Sequence, residues 1–167
     1  MIITLKEYPN GGKIERYQQV NVNSNDYLKV YSCCEYFAQK GKHTIITPHF
    51  SDTLTNPEYA IIYASLMGTP YWNKCPDFLV DGVWYEHEGY DTKKDLSDSK
   101  KKLSTFSNML RRGIKQSCRL VVEDSGAGNF DARRVIYKRI HEDKKNIHEV
   151  YVKTVAGLVL LYKKEED

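Results

Sequence analysis

The chain contains no run approaching the roughly 20 apolar residues that a helix needs to cross a bilayer. Its first eighteen residues carry charged and polar side chains where a secretory leader would need an apolar stretch. The expectation is a cytoplasmic protein with no membrane association. Cysteine is scarce: Cys33, Cys34, Cys75 and Cys118 are the four present. Two are adjacent and none forms a C-x-x-C pair, which excludes a zinc knuckle or a dithiol redox motif and leaves four reduced thiols. An excess of one charge is also lacking. The 25 Lys and Arg against 22 Asp and Glu leave a net charge of +3, too little to identify a nucleic-acid binder from the sum alone.

What is present fits one globular unit. At 167 residues, with 41% hydrophobic and 28% charged side chains, the chain can bury a core and lies outside the composition of disordered proteins. A single domain over 1–167 is expected, its first 24 residues forming an extended segment. Lysine and arginine gather in the second half, at Lys100 to Lys102, Arg111 to Lys115 and Arg133 to Arg139. The 13 tyrosines suit strands and cores as readily as base stacking, so they decide nothing by number.

Local signals give an α/β (α+β) fold. Asn10-Gly11-Gly12 marks a turn in an extended or hairpin entry. Apolar residues from Tyr27 to Ala38 recur at helical spacing, predicting a helix over 25–40 with Ser24 or Asn25 as its cap and Gly41 after its last turn. The β-branched segment from His43 reads as a strand ending near Pro48, and Pro57-Glu58 opens a helix over 57–67. Asp81-Gly82 between PDFLV and VWYEHEGY is a strong signal for a two-residue hairpin, placed at about 76–89. Helices over 97–116 and 131–142, a strand over 118–124 and a closing strand pair around Ala156-Gly157 follow. These elements predict a mixed, mainly antiparallel sheet around the central hairpin, packed by helices.

The hairpin is where chemistry concentrates. Counting outward from Asp81-Gly82 pairs Val80 with Val83, Leu79 with Trp84, Phe78 with Tyr85 and Asp77 with Glu86. Alternation sets Asp77, Leu79, Trp84, Glu86 and Glu88 on one face and Phe78, Val80, Val83, Tyr85 and His87 on the other. Opposed carboxylates repel, so Asp77 and Glu86 call for a cation, a shared proton or solvation. His87, away from the acids, reads as a structural or surface histidine. In the helix that follows, Leu103, Phe106, Leu110 and Ile114 form an apolar stripe at about 100° per residue, with Ser107 inside it and Arg111 at its edge. Basic groups at that edge could grip a phosphate.

Pro-Asp on one strand and Glu-x-acid on the next resembles the metal site of PD-(D/E)xK nucleases. The order KCPDFLVDGVWYEHEGY, a serine-bearing helix reaching RRGIKQS, RLVVED, a basic helix and EVYVKTVAGLVLLYKK resembles the nuclease domains at the C-termini of bacterial contact-dependent inhibition toxins, over residues 74–162. The resemblance implies a nuclease-like fold and a phosphodiesterase acting on DNA or RNA. Asp77, Glu86 and Glu88 would hold Mg²⁺ or Mn²⁺, with catalytic roles for these acids, Ser107 and Arg111, and phosphate contacts from Arg111, Arg112, Lys115 and Gln116. Glu88 stands where that family usually has lysine. Two other readings stay open: a metal-independent RNase using Ser107, Arg111 and His87, and a non-enzymatic nucleic-acid- or protein-binding relative of the same fold.

Overall fold

A computed structural model, which describes residues 1–165, shows an α/β chain whose eight strands follow chain order in one mixed sheet. Among the described residues four strand pairings are antiparallel and three are parallel, as expected of a mixed, mainly antiparallel sheet. Contacts gather into two compact units, Met1–Tyr85 and Glu86–Asp167.

In the first unit, β1 (Ile2–Glu7) and β2 (Lys13–Tyr17) form an antiparallel hairpin. Its turn is closed by Tyr8 N donating to Gly12 O at 2.8 Å and Gly11 N donating to Tyr8 O at 3.0 Å. Gly12 is required by packing: a Cβ there would lie 1.7 Å from the Ala38 carbonyl oxygen at the end of α1 (Tyr27–Ala38). That helix buries Val30, Cys33, Cys34, Phe37 and Ala38, a single face at three- and four-residue spacing. It starts later than expected, after Asp26, whose side chain makes no capping bond.

β3 (His43–Ile46) runs parallel to β2. The next helix, α2 (Pro57–Ile62), is opened by Asn56 accepting from Glu58 N at 2.9 Å, and is shorter than the 57–67 expected. Two tyrosines anchor this segment. Tyr59 and Tyr63 stack at 4.7 Å, and their hydroxyls donate outward to Lys74 O and Pro48 O, both at 2.6 Å. The backbone then tightens into a 3-10 turn over Ala64–Leu66.

The central hairpin forms in the register read from its turn. β4 (Phe78–Val80) pairs with β5 (Val83–Glu88) as Phe78 to Tyr85, Leu79 to Trp84 and Val80 to Val83. Asp81 and Gly82 take φ of 47° and 79°, the positive values that a twisted two-residue turn demands. Phe78, Val80 and Tyr85 are buried while Leu79 and Trp84 are half-buried, as the alternation predicts, but Val83 is half-buried and Asp77 and Glu86, placed on the same face as Leu79, are buried. Phe37, Phe78 and Tyr85 form an aromatic triangle with centroids 5.3 to 6.3 Å apart.

In the second unit, residues 86–88 of β5 pair parallel to β6 (Arg119–Glu123), which lies parallel to β7 (Glu149–Thr154). β8 (Gly157–Lys163) closes antiparallel on β7. Helix α3 (Ser99–Gly113) is capped by Asp98, which accepts from Lys101 N at 2.8 Å, a contact worth about 1 kcal/mol. Its stripe differs slightly from the expected one. Phe106 and Leu110 are fully buried with Met109, whereas Leu103 and Ile114 pack at the edge. Helix α4 (Asn129–His141) adds Ala132 and Ile136 to the same core. No helix among the described residues is long and apolar enough to cross a membrane. All four cysteines are buried free thiols.

Candidate functional site

The β3 to β4 register decides what meets beyond the strand ends. Ile46 lies opposite Phe78, so the chain leaving β3 runs beside the chain entering β4. Thr47 N donates to Asp77 O at 3.1 Å and Thr47 Oγ1 to Pro76 O at 2.6 Å. Asp77 N in turn donates to Tyr85 O at 3.0 Å. The Tyr63 hydroxyl pins Pro48 by donating to its carbonyl, and three residues past β3 His49 Nε2 donates to Asp77 Oδ1 at 2.8 Å.

This pair is asymmetric toward solvent. The Asp77 side chain is 10% exposed and the His49 ring 66% exposed. Both line a cavity of about 330 Å³ whose other polar walls include Gln19, Asn21, Ser24, Asp26 and Thr47, with Tyr27 along one side. The hydrogen bond to Asp77 is the largest influence on His49 and raises its pKa above the ordinary 6.5; partial burial opposes this, and the charges of Asp77 and Asp26 reinforce it. The bonded Nε2 fixes the ring and leaves Nδ1 as the atom that can exchange a proton with a bound molecule. Burial pushes the Cys34 thiol up to about 12.

The residues singled out from the sequence are placed as follows. Asp77 belongs to the pair just described. Glu86 is buried at the start of the second unit. His87 is buried and structural, its Nε2 donating to Glu123 Oε1 at 2.8 Å, with Lys153 Nζ 3.4 Å from the same oxygen. Glu88 Oε2 accepts from Arg112 Nε at 3.2 Å, and Arg112 Nη2 also donates to Gly89 O at 2.7 Å. Arg112 and Glu88 therefore occupy each other. Ser107 accepts from Arg139 Nη2 at 3.0 Å, a bond between α3 and α4. Arg111 and Lys115 are exposed and Gln116 is half-buried.

Among the described residues no group of three or more His, Cys, Asp or Glu side chains is gathered so as to hold a metal ion. Of the three carboxylates expected to ligate a metal, Asp77 bonds to His49 and Glu88 to Arg112. His49, which completes the pair with Asp77, was not among the residues the sequence indicated. Its signal was weak: a histidine just past the proline that ends a strand.

No family model matches the sequence, and no curated protein matches it. Among solved structures, the chain is similar to a chain of the CdiA-CT/CdiI toxin and immunity complex from Burkholderia pseudomallei, with 16% sequence identity and a TM-score of 0.47 over 88% of this chain and 91% of that one. The side chains, not this likeness, carry the functional reading.

Proposed function

We propose that the protein cleaves phosphodiester bonds in nucleic acid, with His49 as its general acid and Asp77 as the group that orients and charges it. The observation that supports this reading is the bond between a buried carboxylate and an exposed imidazole at the wall of a cavity. The nucleic-acid substrate rests on the resemblance of the Pro-Asp hairpin and the segment after it to toxin-type nucleases.

Asp26 and Asp77 make the cavity wall acidic, so an incoming phosphate needs a cation. A protonated His49 supplies one, and the Asp77 contact that raises its pKa favours that form. In the transition state the bond from phosphorus to the 5′-oxygen breaks as the His49 Nδ1 proton passes to that oxygen. The attacking oxygen, from water or a neighbouring 2′-hydroxyl, gives its proton to solvent. His49 ends neutral and is reprotonated from water, with Asp77 ionised throughout.

The test is a cleavage assay on single-stranded RNA and DNA, with chelator and with added Mg²⁺ or Mn²⁺. Cleavage that persists in chelator and disappears in His49→Ala supports the acid role. Cleavage that needs added metal and survives His49→Ala would favour a metal role for Asp77, Glu86 and Glu88, which calorimetry with Mg²⁺ or Mn²⁺ checks directly. No cleavage under any condition would leave a binding protein of this fold.

A further inference from the structure

Helix α4 carries a stripe with no counterpart elsewhere in the functional reading. At about 100° per residue, Phe130, Arg134, Tyr137 and His141 fall within an arc of roughly 60°, opposite the face that carries Ala132 and Ile136 into the core. Solvent is where this arc points. Phe130 is 73% and Tyr137 64% exposed, an uncommon placement for two large rings on one helix. The Arg134 guanidinium lies 5.9 Å from the centre of the Phe130 ring, and the Tyr137 and His141 rings approach to 4.0 Å. Arg133 and Lys138 flank the stripe on either side.

These residues and Leu103 of α3 line a groove of about 760 Å³. Two acids share it, Asp131 and Glu142, the latter 4.0 Å from Lys138 Nζ. Three cations and His141 still outnumber them; beyond the helix, exposed Asp143, paired with Arg139 at 2.8 Å, is followed by exposed Lys144 and Lys145. Arg133 is held in place by donating from Nε to Leu161 O at 3.1 Å.

We infer that this face of α4 seats a single strand of nucleic acid, with Phe130 and Tyr137 as stacking platforms for bases and Arg133, Arg134 and Lys138 along its phosphates. Charge complementarity selects this occupant. Exposed rings alternating with cations present both partners that a single strand needs: a π-face for each unpaired base and positive charge for the backbone. A duplex stacks its bases internally and would leave the two rings unused. The inference rests on the reading of nucleic acid as substrate and adds the form of nucleic acid that this face takes.

The test measures binding, which does not depend on cleavage. Fluorescein-labelled single-stranded RNA and DNA oligonucleotides of mixed sequence, and their duplexes, are titrated with the protein in chelator and followed by anisotropy. Single strands should bind more tightly than duplexes. Phe130→Ala and Tyr137→Ala should each weaken single-strand binding about tenfold. Arg134→Gln with Lys138→Gln should flatten the dependence of affinity on salt by about two phosphate contacts. Because these side chains are exposed, the melting temperature serves as a control and should not move. Oligonucleotide binding that is absent at low salt, stronger for duplex, or unchanged in Phe130→Ala/Tyr137→Ala would overturn the inference. Measuring binding and cleavage side by side separates the two readings. Binding kept with no cleavage in wild type leaves α4 standing and removes the acid role; cleavage present with α4 variants unaffected does the reverse.

Discussion

Each unit of this chain contains a histidine whose Nε2 sits 2.8 Å from a carboxylate, and the two pairs face solvent in opposite ways. In the first, the carboxylate of Asp77 is buried and the imidazole of His49 is exposed. In the second, the His87 ring is 3% exposed and the Glu123 carboxylate 20%, with Lys153 on the same oxygen. The chemistry of each contact is the same and the consequence is not. A buried acid behind an exposed ring makes a proton carrier that a ligand can reach. A buried ring behind a cation-paired acid makes a polar tie within a sheet, out of reach of any ligand.

The largest effects should separate the two histidines by kind of measurement. His49→Ala is expected to lower kcat about a hundredfold to ten-thousandfold, the usual range for a general acid, and to leave thermal stability nearly unchanged. Asp77→Asn should lower kcat less and move the alkaline limb of the pH profile to lower pH, because the ring loses the hydrogen bond and charge that raise its pKa. A pH profile of kcat for both variants checks this. If His49→Ala unfolds the protein while activity per folded molecule is kept, the contrast between the pairs is lost.

His87→Ala should do the opposite. Removing the ring strands a half-buried Glu123 carboxylate with Lys153 alone and is expected to cost about 1–3 kcal/mol in urea unfolding. Cleavage per folded molecule should stay at the wild-type level.

The difference between these pairs also marks how far the sequence could be read. Asp81-Gly82 announces its hairpin and register because two adjacent residues carry the whole signal, and the observed pairs from Val80 to Phe78 follow it. The helices were legible from apolar spacing, with errors at their ends: α2 gives way to a 3-10 turn after Ile62, and nothing local foretold that turn or the bonds of Tyr59 and Tyr63 to distant carbonyls. Asp77 stood out from its place before the hairpin. His49 did not, because it meets Asp77 only through the pairing of β3 with β4, across a connection of some thirty residues whose register no neighbouring residues encode. The Glu88 to Arg112 and Ser107 to Arg139 contacts are of the same kind. Each links elements well separated in the chain, so residue type suggested a role and only the fold supplied the partner.

A smaller effect should appear in acid. Burial alone would raise the Glu123 carboxyl, but the hydrogen bond and charge of His87 together with Lys153 outweigh it and hold the pKa below the ordinary 4.5. A carboxyl depressed in the folded state stabilises the fold above its unfolded pKa and loses that contribution as pH falls through the folded value. Glu123→Gln should therefore flatten the acid limb of stability against pH, below about pH 5, by less than the cost of His87→Ala. Equal acid limbs in the two proteins would show that Glu123 is not the group responsible.

The smallest effect belongs to His49, and its sign is the reverse. Its pKa is raised in the folded state, so proton binding favours the fold: the contribution is complete below the unfolded value of 6.5 and is lost as pH rises through the higher folded value. The ring is mostly exposed, which lets water screen the pair and limits the gain to below about 1 kcal/mol. His49→Gln should thus remove a shallow decline in stability between pH 6.5 and the folded pKa while leaving the acid limb intact. Chemical denaturation at closely spaced pH values in low salt is the measurement, since screening would erase so small a slope at high ionic strength. A wild-type decline that persists in His49→Gln would have to come from another group and would detach the raised pKa from the Asp77 contact. A decline that disappears in both His49→Gln and Asp77→Asn would place it in the pair itself, the same contact that the proposed chemistry uses to keep the ring charged.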